Sequence, residues 1–197
     1  MFGQQNKHKW MLVIAFLATV MGTLSANAQK LYEAGAINPR DAELAVRKAV
    51  VAGGTVNLLD NAGQAAIKGV NDFDGNRLTN GRNFVIDAIT INYGVATTGT
   101  TAAAVDFSTA LPPALKTANL VIKQNDIVIR RLSIASINEA KSTDLRFREL
   151  DGFAILKEET TTSIEIEFGA NTSFSPGAGN DAYVECILKG FETHIRN

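Results

Sequence analysis

The chain of 197 residues contains one cysteine, two histidines, one tryptophan and four prolines, and its 19 basic side chains nearly balance 20 acidic ones. Each scarcity removes a class of chemistry. Cys186 alone cannot close an intramolecular disulfide, and with only His8 and His194 no Cys/His zinc cluster can assemble. A Ser/His/Asp or Cys/His catalytic set needs an imidazole held by the fold. His8 lies in the N-terminal tail and His194 beside the C-terminus, so both read as bystanders and no enzymatic activity is expected. A net charge of −1 gives no general electrostatic reason for a nucleic-acid partner, so no direct nucleic-acid binding is expected. The chain has no GxxxxGK[ST] loop, no HExxH and no GxSxG, and no cofactor is expected.

Apolar content, at 46%, is unevenly placed. Trp10 to Gln29 is an uncharged run of 20 residues preceded by Lys7 and Lys9. Residues 1–28 therefore read as a hydrophobic N-terminal segment, and two uses compete for it. A secretory signal has a basic start, an apolar centre (Trp10, Met11, Leu12, Ile14, Phe16, Leu17) and a small-residue end, here Ala26-Asn27-Ala28 with cleavage after Ala28. A retained membrane anchor, contacting a membrane through residues 10–29, is the other. Cleavage would remove Lys7 and Lys9 but no carboxylate and leave a net charge of −3. Neither form is basic.

Residues 29–54 read as a linker and one short helix. Asn38 is a natural N-cap, Pro39 suits the first helical position, and Asp41 favours the positive end of the helix dipole. Ala42, Ala45, Val46, Ala49 and Val50 share one face at helical spacing, and Gly53-Gly54 is a stop.

Residues 55–197 read as a β-sandwich domain. Ile164, Ile166 and Phe168 alternate with Ser163, Glu165 and Glu167, so Thr162–Phe168 predicts a strand with one buried and one wet face. Tyr183–Lys189 alternates likewise, which predicts Cys186 as a buried small apolar residue. Phe84–Tyr93, Asn119–Lys123, Ile127–Ile134 and Phe153–Lys157 are further strands; Thr55–Leu59, Ala65–Val70 and Ala102–Phe107 are less regular. Asn80-Gly81, Gln124-Asn125-Asp126, Asp151-Gly152 and Ser175-Pro176-Gly177 are turn chemistry, and Gly94–Thr101 and Asn138–Phe147 read as loops. Strands wet on one face imply an antiparallel two-sheet sandwich, mainly β, and the irregular loops favour a jelly-roll or Greek-key connection.

Few residues qualify as a site. Asn71-Asp72-Phe73-Asp74-Gly75-Asn76 resembles part of a calcium loop, but Val70 and Gly81 stand where an EF-hand needs its first ligand and its bidentate Glu. A structural turn is the simpler use, and Asp72 and Asp74 remain the candidate Ca²⁺ pair. Glu165 and Glu167 point to one side of a strand, as paired acid/base carboxylates would, but alternating Glu is also the ordinary device of a wet strand face. Arg130-Arg131 and Arg146-x-Arg148 could form a basic patch on neighbouring strands, but Asp144, Glu149 and Asp151 sit beside the latter pair, and intersubunit or intrasheet salt bridges are the simpler use. Asn171-Thr172-Ser173 is a formal glycosylation sequon.

The succession Asn83-Phe84-Val85-Ile86-Asp87-Ala88-Ile89, then Leu150–Lys157, Ile164–Phe168 and Val184–Phe191, resembles jelly-roll virion proteins, in particular capsid proteins of tailless, membrane-containing bacteriophages. The resemblance covers about residues 80–195 and rests on strand order and texture. It implies a non-enzymatic shell subunit located in the virion, with self-association or neighbouring shell proteins as partners and a terminal segment tied to a membrane. The Ala26-Asn27-Ala28 ending departs from that pattern and resembles an exported bacterial precursor. The alternative expectation is therefore a periplasmic or surface binding module using the Gly94–Thr101 loop and the Asp72/Asp74 turn.

Overall fold

The computed structural model describes residues 2–51, 53–59, 65–141 and 146–195. It is mainly β, with two antiparallel sheets of four strands. One sheet is ordered β1 (Ile37–Ala49), β8 (Asn180–Ile195), β3 (Phe84–Thr97), β6 (Arg148–Leu156). The other is ordered β2 (Thr55–Asn57), β7 (Thr162–Glu167), β4 (Asn119–Gln124), β5 (Ile127–Ser133). Helices α1 (Phe2–Val20) and α2 (Ala26–Glu33) precede the strands, and α3 (Pro113–Lys116) and α4 (Ile134–Lys141) lie in connections.

Alternation builds the core between the sheets. Leu44 and Val46 of β1, Ile86, Ile89 and Ile91 of β3, and Val184, Cys186 and Leu188 of β8 meet Leu120, Ile122, Ile164 and Ile166 of the opposite sheet. Ile86 and Ile89 are three apart, yet both are buried. A bulge between Ile86 and Ala88 shifts the phase of β3 and turns Asp87 to the outer face. Opposite the bulge stands Gly190, where an added Cβ would lie 1.8 Å from the Val85 carbonyl oxygen. Only glycine lets the two central strands meet there.

Several expectations need correction. Asn38–Val50 is not a helix but most of β1, paired with β8 from Ile37↔Ile195 to Ala49↔Tyr183. Its residues also satisfy a period of two: Leu44 and Val46 face the core, Ala42 packs against it, and Glu43, Ala45 and Arg47 lie on the other face. Pro39 is tolerated because β1 is an edge strand. Asp151-Gly152 is not a turn but lies inside β6, where Arg130 donates to the Gly152 and Phe153 carbonyls (3.0 and 2.7 Å). Ala65–Val70 forms turns around an isolated Ile67↔Asn71 bridge, and Ala102–Ala104 is a single 3-10 turn. The start of the expected Asn138–Phe147 loop belongs to α4, which buries Ile134 and Ile137; Ser142 to Leu145 lie outside the described residues. β3 runs on to Thr97, so the first half of the expected Gly94–Thr101 loop is strand.

The turn that joins β4 to β5 follows its sequence. Asn125 and Asp126 both take positive φ (47° and 63°), the backbone that a tight two-residue hairpin requires and that Asn and Asp tolerate.

Candidate functional site

The outer face of the β1-β8-β3-β6 sheet carries the most distinctive surface feature. Val85 and Phe191 point away from the main core and form a second apolar cluster with Val13 and Leu17 of α1. Val13, Leu17 and Val85 are 0% exposed. Phe16, Val20, Met21, Tyr32, Phe153 and Ile155 pack around them, and the Phe16 and Phe153 ring centroids lie 5.6 Å apart. Ile14 is half-buried. The uncharged run that suggested a signal or anchor thus supplies the second half of α1, which covers this face, and then a 3-10 turn and the start of α2. Among the described residues no helix is long and apolar enough to cross a membrane.

Polar contacts fix both ends of this arm. The Lys9 ammonium donates to Asp87, turned outward by the bulge, at 2.6 Å and to Glu149 at 3.2 Å. Burial lowers the Lys9 pKa, but the hydrogen bonds and field of the two carboxylates outweigh it and the net shift is upward. At the other end Ser25 caps α2, accepting from the Ala28 amide at 3.1 Å and donating to Glu158, which also accepts from the Gly81 amide. Ala26 is exposed and Ala28 is buried in the first turn of α2, so the small-residue ending is helical.

Beside Lys9 lies a cleft of about 430 Å³ lined by Asp41, Glu43, Asp87, Lys189 and Phe191. A neighbouring cleft of about 370 Å³ shares Lys9, Glu43, Asp87 and Lys189 and is lined by Phe147, whose ring centroid lies 5.2 Å from both the Lys189 ammonium and the Arg146 guanidinium. Sequence reasoning used Lys9 only as the basic start of the N-terminal segment and gave no site role to Asp87 or Lys189. The charge alternation is legible in hindsight, but their juxtaposition depends on the bulge in β3 and on where α1 lies.

The other candidates are engaged in structure. Asp72 accepts from the Ala45 amide at 2.7 Å and ties its loop to β1, while Asp74 is exposed in a turn closed by mutual backbone bonds with Arg77. Among the described residues no group of three or more His, Cys, Asp or Glu is placed to hold a metal ion. Glu165 accepts from Lys123 at 2.5 Å and from Ser163 at 2.8 Å; Glu167 receives both Arg131 nitrogens at 2.5 and 3.1 Å. These carboxylates belong to cross-strand ion pairs on the wet face of the second sheet. Arg148 donates to Ser136 at 2.5 Å. Asp181 ties the Thr98–Thr100 turn to β8 through the Thr98 hydroxyl and the Gly99 amide (3.2 and 3.4 Å). Cys186 is fully buried and its thiol is pushed up to about 12, first by burial and then by Glu185, so it does not supply a thiolate near neutral pH. His8 is exposed, and His194 lies opposite Asn38 on β8 with its side chain outside the described residues.

No protein-family model matches the chain, and neither a curated protein nor a solved structure does.

Proposed function

We propose that the chain is a non-enzymatic structural subunit, a jelly roll that assembles with copies of itself or with neighbouring proteins into a virion-like shell. The observation that carries this reading is the nesting of its strand pairs. β1 pairs with β8, β2 with β7, β3 with β6 and β4 with β5, all antiparallel, as in one long hairpin folded at Asn125-Asp126 and rolled into two sheets. That winding is the one expected of an eight-stranded jelly roll, an architecture used by shell proteins and by lectins and cupins alike. Fold alone does not choose among these uses. The surface chemistry favours assembly: the carboxylates that a hydrolase would employ are held by Lys123 and Arg131, while Trp10, Met11 and Leu12 lie 42%, 56% and 45% exposed on the N-terminal helix. Native mass spectrometry and electron microscopy of the purified full-length protein test the proposal. Ordered oligomers or particles are expected; a strict monomer at high concentration would remove its content.

The rival reading, an exported binding module, draws on the Ala26-Asn27-Ala28 ending. The N-terminus of the purified protein separates the two. Gln29 as first residue supports export, and an intact N-terminal segment contradicts it.

A further inference from the structure

The N-terminal helix is apolar on two opposite sides, and only one of them is covered. Val13, Leu17 and Val20 follow a 4-3 spacing along the side of α1 that faces the sheet, where Val13 and Leu17 are buried and Val20 is half-buried. Met11, Ala15 and Ala18 repeat that spacing about 200° around the axis of α1, and Gly22 lies in the 3-10 turn Met21–Thr23 that follows; all four are exposed. Trp10 and Leu12 flank them, 42% and 45% exposed. A surface helix ordinarily turns charge toward water. Here the outer side carries no charge from Trp10 through Gln29.

We propose that this outer seam is a self-association surface and that its occupant is the same seam of a second copy, packed antiparallel about a two-fold axis. The inference rests on the reading of the chain as an assembling subunit and names one of its contacts. Four observations carry it. An uncharged apolar seam is self-complementary, as a two-fold contact requires. The 4-3 spacing of Met11, Ala15 and Ala18 is that of helices packed side by side at a shallow angle, and alanines let their axes come close. Antiparallel packing sets Ala15 against Ala18 of the second copy and brings the long Met11 toward the turn that holds Gly22. Nothing lies within 4 Å of where a Cβ on Gly22 would point, so that end of the seam is open to receive a side chain. It also separates the two Lys7/Lys9 ends, which a parallel pair would bring together, and opposes the helix dipoles.

A lipid surface fits less well. Helices that lie in a membrane interface keep a charged face toward water; the inward side of α1 is instead occupied by its own sheet. Met11 to Ala18 spans only about 11 Å of helix, so the pair buries less than about 1,200 Å², the lower end of specific interfaces. A weak dimer that is reinforced by the other contacts of an assembly is the expected behaviour.

The test uses the full-length chain with its N-terminus verified by mass spectrometry. Because Cys186 is buried and its thiol is raised to about 12, introduced cysteines are the only readily oxidised ones. A mixture of Ala15→Cys and Ala18→Cys proteins, oxidised with copper phenanthroline, is expected to give mostly the mixed disulfide dimer. In sedimentation equilibrium, Ala18→Glu is expected to raise the dimer dissociation constant at least tenfold while the far-ultraviolet spectrum and melting curve stay those of the parent. Self-linking of Ala15→Cys alone would overturn the antiparallel arrangement. A parent protein beginning at Gln29, no effect of Ala18→Glu on dimerisation, or binding to phosphatidylglycerol vesicles that abolishes the mixed cross-link would each overturn the proposal. A dimer with no larger particle would keep this contact and sink the shell reading; particles indifferent to Ala18→Glu would do the reverse.

Discussion

Leu17→Ala separates the N-terminal arm from the sandwich energetically. Leu17 is 0% exposed, and it belongs to the small cluster with Val13, Val85 and Phe191 rather than to the main core. Truncating a fully buried Leu removes about 1.5–3 kcal/mol of burial, and a residual cavity raises the loss toward 2–5 kcal/mol. The full cavity term does not apply at this position. The arm is joined to β1 through Gly35 at a φ of 65°, so a surface helix can settle or detach, and about 2–3 kcal/mol is the expected loss. That amounts to roughly 30- to 150-fold in an opening equilibrium. Hydrogen exchange read by mass spectrometry should accordingly show amides of α1 exchanging about 30- to 150-fold faster. Those of β4 and β7, whose Leu120, Ile122, Ile164 and Ile166 lie in the other cluster, should keep their protection. Loss of protection in both regions together would refute the division into two units, and unchanged exchange in α1 would refute its docking.

Gly190→Ala should be among the most damaging single substitutions. Its Cβ would meet the Val85 carbonyl oxygen at 1.8 Å and the carbonyl carbon at 2.9 Å, so β3 and β8 must part or the bulge must move. A loss of more than about 3 kcal/mol in a denaturant titration, or failure to fold, is expected. Stability within about 0.5 kcal/mol of the parent would mean that the close approach is not real. Glu165 sets an acid dependence. Burial pushes its carboxyl up, but hydrogen bonds from Lys123 and Ser163 and the charges of Lys123 and Arg131 pull it below its ordinary value. A depressed folded pKa gives stability that is present above the unfolded value of about 4.3 and is lost as pH falls through the lower folded value. The melting temperature should therefore drop on acidification below about pH 4.3, and Glu165→Gln should flatten part of that drop; identical pH profiles would exclude the pair as its cause.

The strands that sequence reasoning located best are those whose chemistry is local. Ile164, Ile166 and the intervening Ser163 and Glu165 alternate, and such a pattern suits a strand with one dry face wherever it pairs. Asn125-Asp126 specified its turn because both residues accept positive φ. The candidate site was less legible. Lys9, Asp87 and Glu149 come from three distant parts of the sequence, and no spacing links them.

β1 marks the boundary between what is local and what is not. Asn38-Pro39-Arg40-Asp41 has good helix-start chemistry, and Ala42 to Val50 satisfies a helical period as well as an alternating one. The sequence by itself therefore determined the turns, the alternating strands, the uncharged N-terminal run and the scarcity of groups suited to catalysis. The tertiary structure decided which period β1 obeys, because pairing with β8 along its whole length outweighs a local propensity of a few tenths of a kcal/mol per residue. It also decided that Asp151-Gly152 is strand and that Asp87 faces outward toward Lys9. The uncharged run lies on Val85 and Phe191 for the same reason: such choices depend on contacts between residues far apart in the chain, which no local period encodes.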